Sequence, residues 1–124
     1  MICGIGIDII EVERVQKLVS KKDKYLKKIY TDIEIEYCEK FKTKAQEFAG
    51  RFSAKEAFSK ALGTGISHGI KFNEIEIVND ELGKPEINLY GGTKEYFQKK
   101  GLKNIFVSIS HLKEYATTVV VIEK

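Results

Sequence analysis

The sequence predicts an α+β fold built on antiparallel strands, and two features of its hydrophobic pattern carry that prediction. From Glu11 to Leu62 the apolar residues recur at helical spacings of three and four, whereas from Phe72 to Glu123 most of them alternate with a period of two. Helices gathered in one half and strands in the other separate this class from the regular alternation of a doubly wound sheet.

The elements follow in order. Ile2 to Ile10 reads as a buried strand, with Ile5, Ile7 and Ile9 on one face and Gly4, Gly6 and Asp8 on the other. A strand face stripped to glycine marks the close approach of another backbone or of a ligand, and Asp8 stands where that bare strip ends. From Glu11 the spacing of Val12, Val15, Leu18 and Val19 is helical. Thr31-Asp32-Ile33-Glu34 has the form of a capping box and starts an acidic helix. The strongest helix runs from about Thr43 to Leu62 and ends on Gly63. On a helical wheel Ala45, Phe48, Ala49, Phe52, Phe58 and Leu62 share one arc, which is expected to face the core. Phe72 to Val78 and Glu86 to Tyr90 form a hairpin with a long connection through Gly83 and Pro85. A short helix over Thr93 to Lys100 stops at Gly101, and Asn104 to His111 pairs antiparallel with Tyr115 to Glu123. Val119 to Ile122 is apolar on both faces, so the last strand belongs in the centre of a sheet or at a subunit interface.

The chain has 124 residues, enough for one domain spanning 1–124 and a real core. Its net charge of +3 falls short of the excess that marks a dedicated nucleic-acid binder. The two cysteines, Cys3 and Cys38, make neither a disulfide scaffold nor a zinc site, and no apolar run spans a bilayer. A cytoplasmic protein without membrane or nucleic-acid partners is expected. Charge is uneven locally, however: Arg14, Lys17, Lys21, Lys22, Lys24, Lys27 and Lys28 crowd one stretch against Asp23 alone.

Two charges break the apolar pattern of the long helix. Lys55 falls near the middle of the core arc and Glu56 at its margin beside Phe52. A carboxylate on a packed face calls for a cation, a metal or a chemical role. Asp8 and Glu56 together offer hard oxygen ligands of the kind Mg²⁺ takes, with Arg51, Lys55 and Lys60 on the same helix as cations for phosphate. Plainer roles stand beside these: Asp8 as the cap of the helix near Glu11, Glu56 as the i,i+4 partner of Lys60, and His68 and His111 as ordinary hydrogen-bonded histidines. Ser108-Ile109-Ser110-His111 places hydroxyls and an imidazole together at a strand end, and Gly63-Thr64-Gly65 could let amides approach a phosphate. No dinucleotide fingerprint, Walker loop, nucleophile elbow or metalloprotease motif is present.

Gly6-Ile7-Asp8, the run from Phe52 through Lys55, Glu56 and Lys60 to Ala61, and Ser108-Ile109-Ser110-His111 resemble, in order, the three signatures of the small-type 4′-phosphopantetheinyl transferases, the holo-[acyl-carrier-protein] synthase family. Thr31-x-x-Glu34, Gly63-Thr64-Gly65 and Gly83-Lys84-Pro85 resemble further recurrent pieces, so the likeness spans nearly the whole chain. The resemblance implies a homotrimer with sites at subunit interfaces. It implies transfer of 4′-phosphopantetheine from coenzyme A to a serine hydroxyl of apo acyl carrier protein, releasing adenosine 3′,5′-bisphosphate, in support of fatty acid biosynthesis. In the roles it implies, Asp8 and Glu56 hold Mg²⁺ and act in catalysis with Lys60. Arg51, Lys60, Gly63, Gly65, Pro85, Ser110 and His111 contact the coenzyme, while Arg14, Lys21 and Lys22 dock the acidic carrier. The serine proton has three candidate acceptors: Glu56, a water, or a carboxylate such as Asp32. Two other classes remain open, a basic nucleic-acid module using the Arg14 to Lys28 patch with Tyr25 and Tyr30, and a trimer without catalysis.

Overall fold

The structure, a computed structural model, describes residues 1–21 and 23–124. The chain opens with strand β1 (Ile2–Glu11) and helices α1 (Val12–Val19), α2 (Asp23–Ile29), α3 (Asp32–Glu39) and α4 (Lys44–Leu62). A 3₁₀ turn (Phe72–Glu74) leads into the hairpin β2 (Ile75–Asn79) and β3 (Pro85–Leu89). Helix α5 (Gly91–Lys99) and strands β4 (Asn104–His111) and β5 (Tyr115–Glu123) complete the fold. Both sheets are antiparallel, a three-stranded one in the order β1-β5-β4 and the separate β2-β3 hairpin, and β5 takes the central place its two apolar faces call for. No helix of the described residues is long and apolar enough to cross a membrane.

Helix α4 is the axis of the molecule. One end packs with Ile10, Val12, Val15, Tyr30, Cys38 and Ala116, and the other with Ile70, Ile75, Ile77, Phe97, Val120 and Ile122. The expected single arc is therefore corrected. Phe48, Ala49, Gly50, Arg51, Ser53, Ala54, Lys55, Ala57, Phe58, Ser59 and Ala61 are all buried, so the helix is enclosed on most sides, whereas Ala45, Phe52 and Leu62 are only half-buried. A narrow stripe describes a surface helix, and elements on several sides cover this one.

Strand β1 turns its glycine face inward. A Cβ at Gly4 would run into the carbonyl of Ala61, and one at Gly6 into the carbonyl of Ala57, so helix backbone lies directly on strand backbone. The other face is corrected: Ile5, Ile7 and Ile9 are about two-thirds exposed in the single chain and are not its core. Alternation shows that β1 has two unlike faces without saying which of them the helix covers.

Thr31 caps α3 as expected. Its hydroxyl accepts from the Glu34 amide at 3.3 Å, while the Glu34 carboxylate accepts from the Thr31 amide at 3.0 Å. The α4 helix ends on Gly63 in the left-handed conformation, φ 89°. The hairpin begins three residues later than the alternation suggests, because Phe72–Glu74 coils into the 3₁₀ turn, and α5 starts two residues earlier, at Gly91.

Candidate active site

Asp8 projects from the glycine face of β1 toward α4, where Lys60 Nζ stands 3.1 Å from Asp8 Oδ1 and donates to the Ile7 carbonyl at 3.1 Å. The backbone under Asp8 is pinned as well, its carbonyl accepting from Ser53 Oγ at 3.3 Å and from Thr117 Oγ1 at 2.8 Å. Neither plain role survives for this pair. Asp8 caps no helix, since α1 begins after Glu11 with no side-chain cap, and the ion pair of Lys60 is made with Asp8.

Glu56 lies one turn before Lys60 and is half-buried. Burial holds its carboxyl above the usual carboxylate range, and the negative charge of Asp8 pushes it further the same way, against the pull of Lys60 and Arg14. Two acids 48 positions apart in sequence thus feel each other across the β1–α4 contact, each with Lys60 beside it. Two hard oxygen donors brought together in this way suit a divalent cation such as Mg²⁺, which takes one or two carboxylates and fills its remaining positions with water and phosphate.

A second cluster lies along α4 toward its start. A pocket of about 260 Å³ is lined by Tyr37, Phe41, Glu47, Arg51, Pro85 and His111 among others. Arg51 is 4% exposed; its guanidinium lies 4.1 Å from the Tyr37 ring centre and donates from Nη2 to Asn79 Oδ1 at 2.6 Å. Its buried Nε has no partner. This guanidinium forms no ion pair among the described residues, which leaves its charge available to an anion in the pocket. His111 is held by Gln46 at Nδ1 and by Glu47 at Nε2, at 2.8 and 3.2 Å.

The structure brings Asp8, Glu56 and Lys60 together, and Arg51, Pro85 and His111 together, but it does not merge the two groups: none of the first three lines the Arg51 pocket. Ser110 is corrected. Alternation along β4 sends Ser108 and Ser110 to the outer sheet face and His111 to the α4 side, so hydroxyls and imidazole do not meet within one chain. Gly63 and Gly65 are corrected in part. They follow Lys60 at the end of α4, but the amides of Gly63, Thr64 and Gly65 all turn back to the Ser59 carbonyl and do not point outward to a phosphate. Lys55 is also corrected: fully buried, it pairs with Glu34 Oε1 at 2.7 Å and donates to the carbonyls of Phe72 and Ile75, so it meets no ligand. Burial lowers its ammonium's affinity for the proton, opposed by the Glu34 charge.

Arg14 is exposed on α1, beside an apolar groove of about 250 Å³ formed with Ile10, Leu18, Ile29, Phe52 and Phe72. Lys21 is exposed and Lys22 lies outside the described residues. Asp32 is exposed at the start of α3, with no ion pair or hydrogen bond to Asp8, Glu56 or Lys60. His68 sits at φ 58° in the loop after α4, its Nδ1 2.8 Å from Ser67 Oγ. The residues that sequence reasoning missed are Tyr37, Asn79, Gln46 and Glu47, which come from three elements and carry no shared spacing. Glu34 was legible as a capping residue, but its buried pairing with Lys55 was not.

Residues 4–120 match the family model of the 4′-phosphopantetheinyl transferase superfamily, the class that this fold and these clusters define. The holo-[acyl-carrier-protein] synthase of Geotalea daltonii is 48% identical over 125 residues, covering 100% of both chains, and that of Clostridium acetobutylicum is 47% identical over 123 residues, covering 99% and 98%. Among solved structures, the synthase of Neisseria meningitidis superposes with a TM-score of 0.90 at 34% identity, with all of both chains covered. That of Helicobacter pylori, in complex with coenzyme A, superposes at 0.85 and 36% identity over 96% of this chain and 99% of that one. The chain is an enzyme, a phosphopantetheinyl transferase belonging to the holo-[acyl-carrier-protein] synthase family.

Proposed function

We propose that this chain transfers the 4′-phosphopantetheine group of coenzyme A to a serine hydroxyl of an apo acyl carrier protein, releasing adenosine 3′,5′-bisphosphate and supplying carrier for fatty acid biosynthesis. The observation that carries this reading is the convergence of Asp8, Glu56 and Lys60 from two elements, with a second cation, Arg51, which forms no ion pair among the described residues, nearer the start of the same helix. The coenzyme-bound relative from Helicobacter pylori supports the choice of substrate.

In the reaction the serine Oγ forms a bond to the phosphorus next to the pantetheine arm, and the bond from that phosphorus to the bridging oxygen of the diphosphate breaks. Lys60 lowers the repulsion met by the incoming oxygen, and Arg51 with His111 binds the departing nucleotide. Glu56, whose surroundings raise its hold on a proton, accepts the serine proton directly or through a water. Asp8 and Glu56 would hold Mg²⁺, which when bound supplies charge neutralisation at the diphosphate. Arg14, with Lys21 and Lys22, steers the acidic carrier, and the apolar groove beside Arg14 receives it.

The active assembly is a homotrimer. The separation of the two clusters in one chain supports this, because a neighbouring copy is then needed to close one site from two halves. So does the outer sheet face, where Ile5, Ile7, Ile9, Phe106 and Val119 stand exposed.

Incubating the protein with coenzyme A, Mg²⁺ and an apo acyl carrier protein is expected to add one phosphopantetheine mass to the carrier. A carrier of unchanged mass at high enzyme concentration would overturn the reading.

A further inference from the structure

The first turn of α4 carries two adjacent side chains, Gln46 and Glu47, that reach the same imidazole at the end of β4. Gln46 Oε1 lies 2.8 Å from His111 Nδ1, and Glu47 Oε2 lies 3.2 Å from His111 Nε2. A carboxylate at that distance requires a proton on Nε2. The doubly protonated ring satisfies both contacts as they stand, and with the Gln46 amide turned over the neutral Nε2–H tautomer satisfies them too. In every case the Nε2–H belongs to Glu47. Two anchors on one ring remove its rotation about both side-chain bonds.

The Glu47 side chain is 15% exposed and lines the same pocket as Arg51. A carboxylate in a pocket that receives phosphates repels them unless its charge is engaged. Here a carboxylate oxygen is turned to the Nε2–H of His111, while Arg51 one turn away is held independently by Tyr37 and Asn79.

We propose that Glu47 is a positioning residue for coenzyme binding: it holds the Nε2–H of His111 and so fixes the imidazole as a ready-made wall of the Arg51 pocket. This rests on reading that pocket as the nucleotide end of the coenzyme site. Binding then needs no ordering of the ring, which lowers KM without touching the phosphoryl-transfer step.

The test compares the full-length protein with Glu47→Ala and Glu47→Gln, with circular dichroism to establish that each folds. With coenzyme A varied and carrier saturating, Glu47→Ala is expected to raise KM about tenfold with kcat within about twofold. Glu47→Gln keeps an acceptor oxygen and is expected to restore KM to within about twofold of the parent. Nitrogen-15 spectra of the imidazole are expected to show a slowly exchanging Nε2–H on His111 in the parent and in Glu47→Gln, and its loss in Glu47→Ala. An unchanged or lowered KM in Glu47→Ala, a Glu47→Gln as impaired as Glu47→Ala, or an Nε2–H that survives in Glu47→Ala overturns the proposal. Absence of transfer by the parent overturns the reading of the function instead, and the imidazole spectra still decide whether Glu47 holds the ring.

Discussion

Glu56 carries opposed demands. Its ionised form is needed beside Asp8 to hold a cation, yet burial and the Asp8 charge both favour the protonated form. Because the folded chain binds this proton more tightly than the unfolded one, the stability it contributes is present below the ordinary carboxylate range and is lost as pH rises through the higher native value. Glu56→Gln should therefore abolish transfer while raising the melting temperature in metal-free buffer, and the gain should be larger at pH 7 than at pH 4. Thermal melts at the two pH values check this; an equal gain at both would show that the fold does not raise the Glu56 carboxyl. Lys55, next to it in sequence, is the opposite case. Its charge is matched by Glu34 and two backbone carbonyls, and its work is to tie α3 and β2 to α4.

The contact between β1 and α4 places Asp8 opposite Lys60, and it depends on the absence of side chains. Gly6 lies against the Ala57 carbonyl, one residue beyond Glu56. Gly6→Ala forces the strand and helix apart, at a cost of about 1–3 kcal/mol for overpacking of a close contact. Because the displaced backbone carries Asp8, transfer activity should fall further than stability does. Denaturant unfolding alongside the transfer assay reads both, and full activity in a folded Gly6→Ala would show that the close approach does not position the acids. The same reasoning explains why α4 is rich in alanine where it meets the sheet, at Ala54, Ala57 and Ala61.

Over the whole molecule, the face of the three-stranded sheet that α4 does not cover carries an exposed apolar patch. Ile7 lies opposite Val119 in the register, with Ile5 and Ile9 two residues to either side, and these side chains are exposed in the single chain. Each such isoleucine, once fully covered, contributes about 1.5–3 kcal/mol, enough for a few of them to hold copies together. The native protein should have three times the 14.1 kDa mass of one chain in solution, and Ile7→Lys should release folded protomers that no longer transfer. Scattering or ultracentrifugation decides it: a parent of single-chain mass, or a trimeric Ile7→Lys, would contradict the assembly.

The local pattern of the sequence was enough for β4, β5, the Thr31 capping box, the Gly63 stop and the course of α4, because these depend on residues within a turn or two of one another. Asp8 and Glu56 were legible as charges on faces expected to pack, Lys60 as their cationic neighbour, and Arg51 and His111 through resemblance. The three-dimensional fold decided which face of β1 is covered, that Lys55 belongs to Glu34, that Tyr37, Asn79 and Glu47 line the Arg51 pocket, and that Gln46 holds His111. Periodicity reports neighbours along one element, whereas these pairings join residues 14 to 65 positions apart, and their meeting depends on how the chain returns on itself.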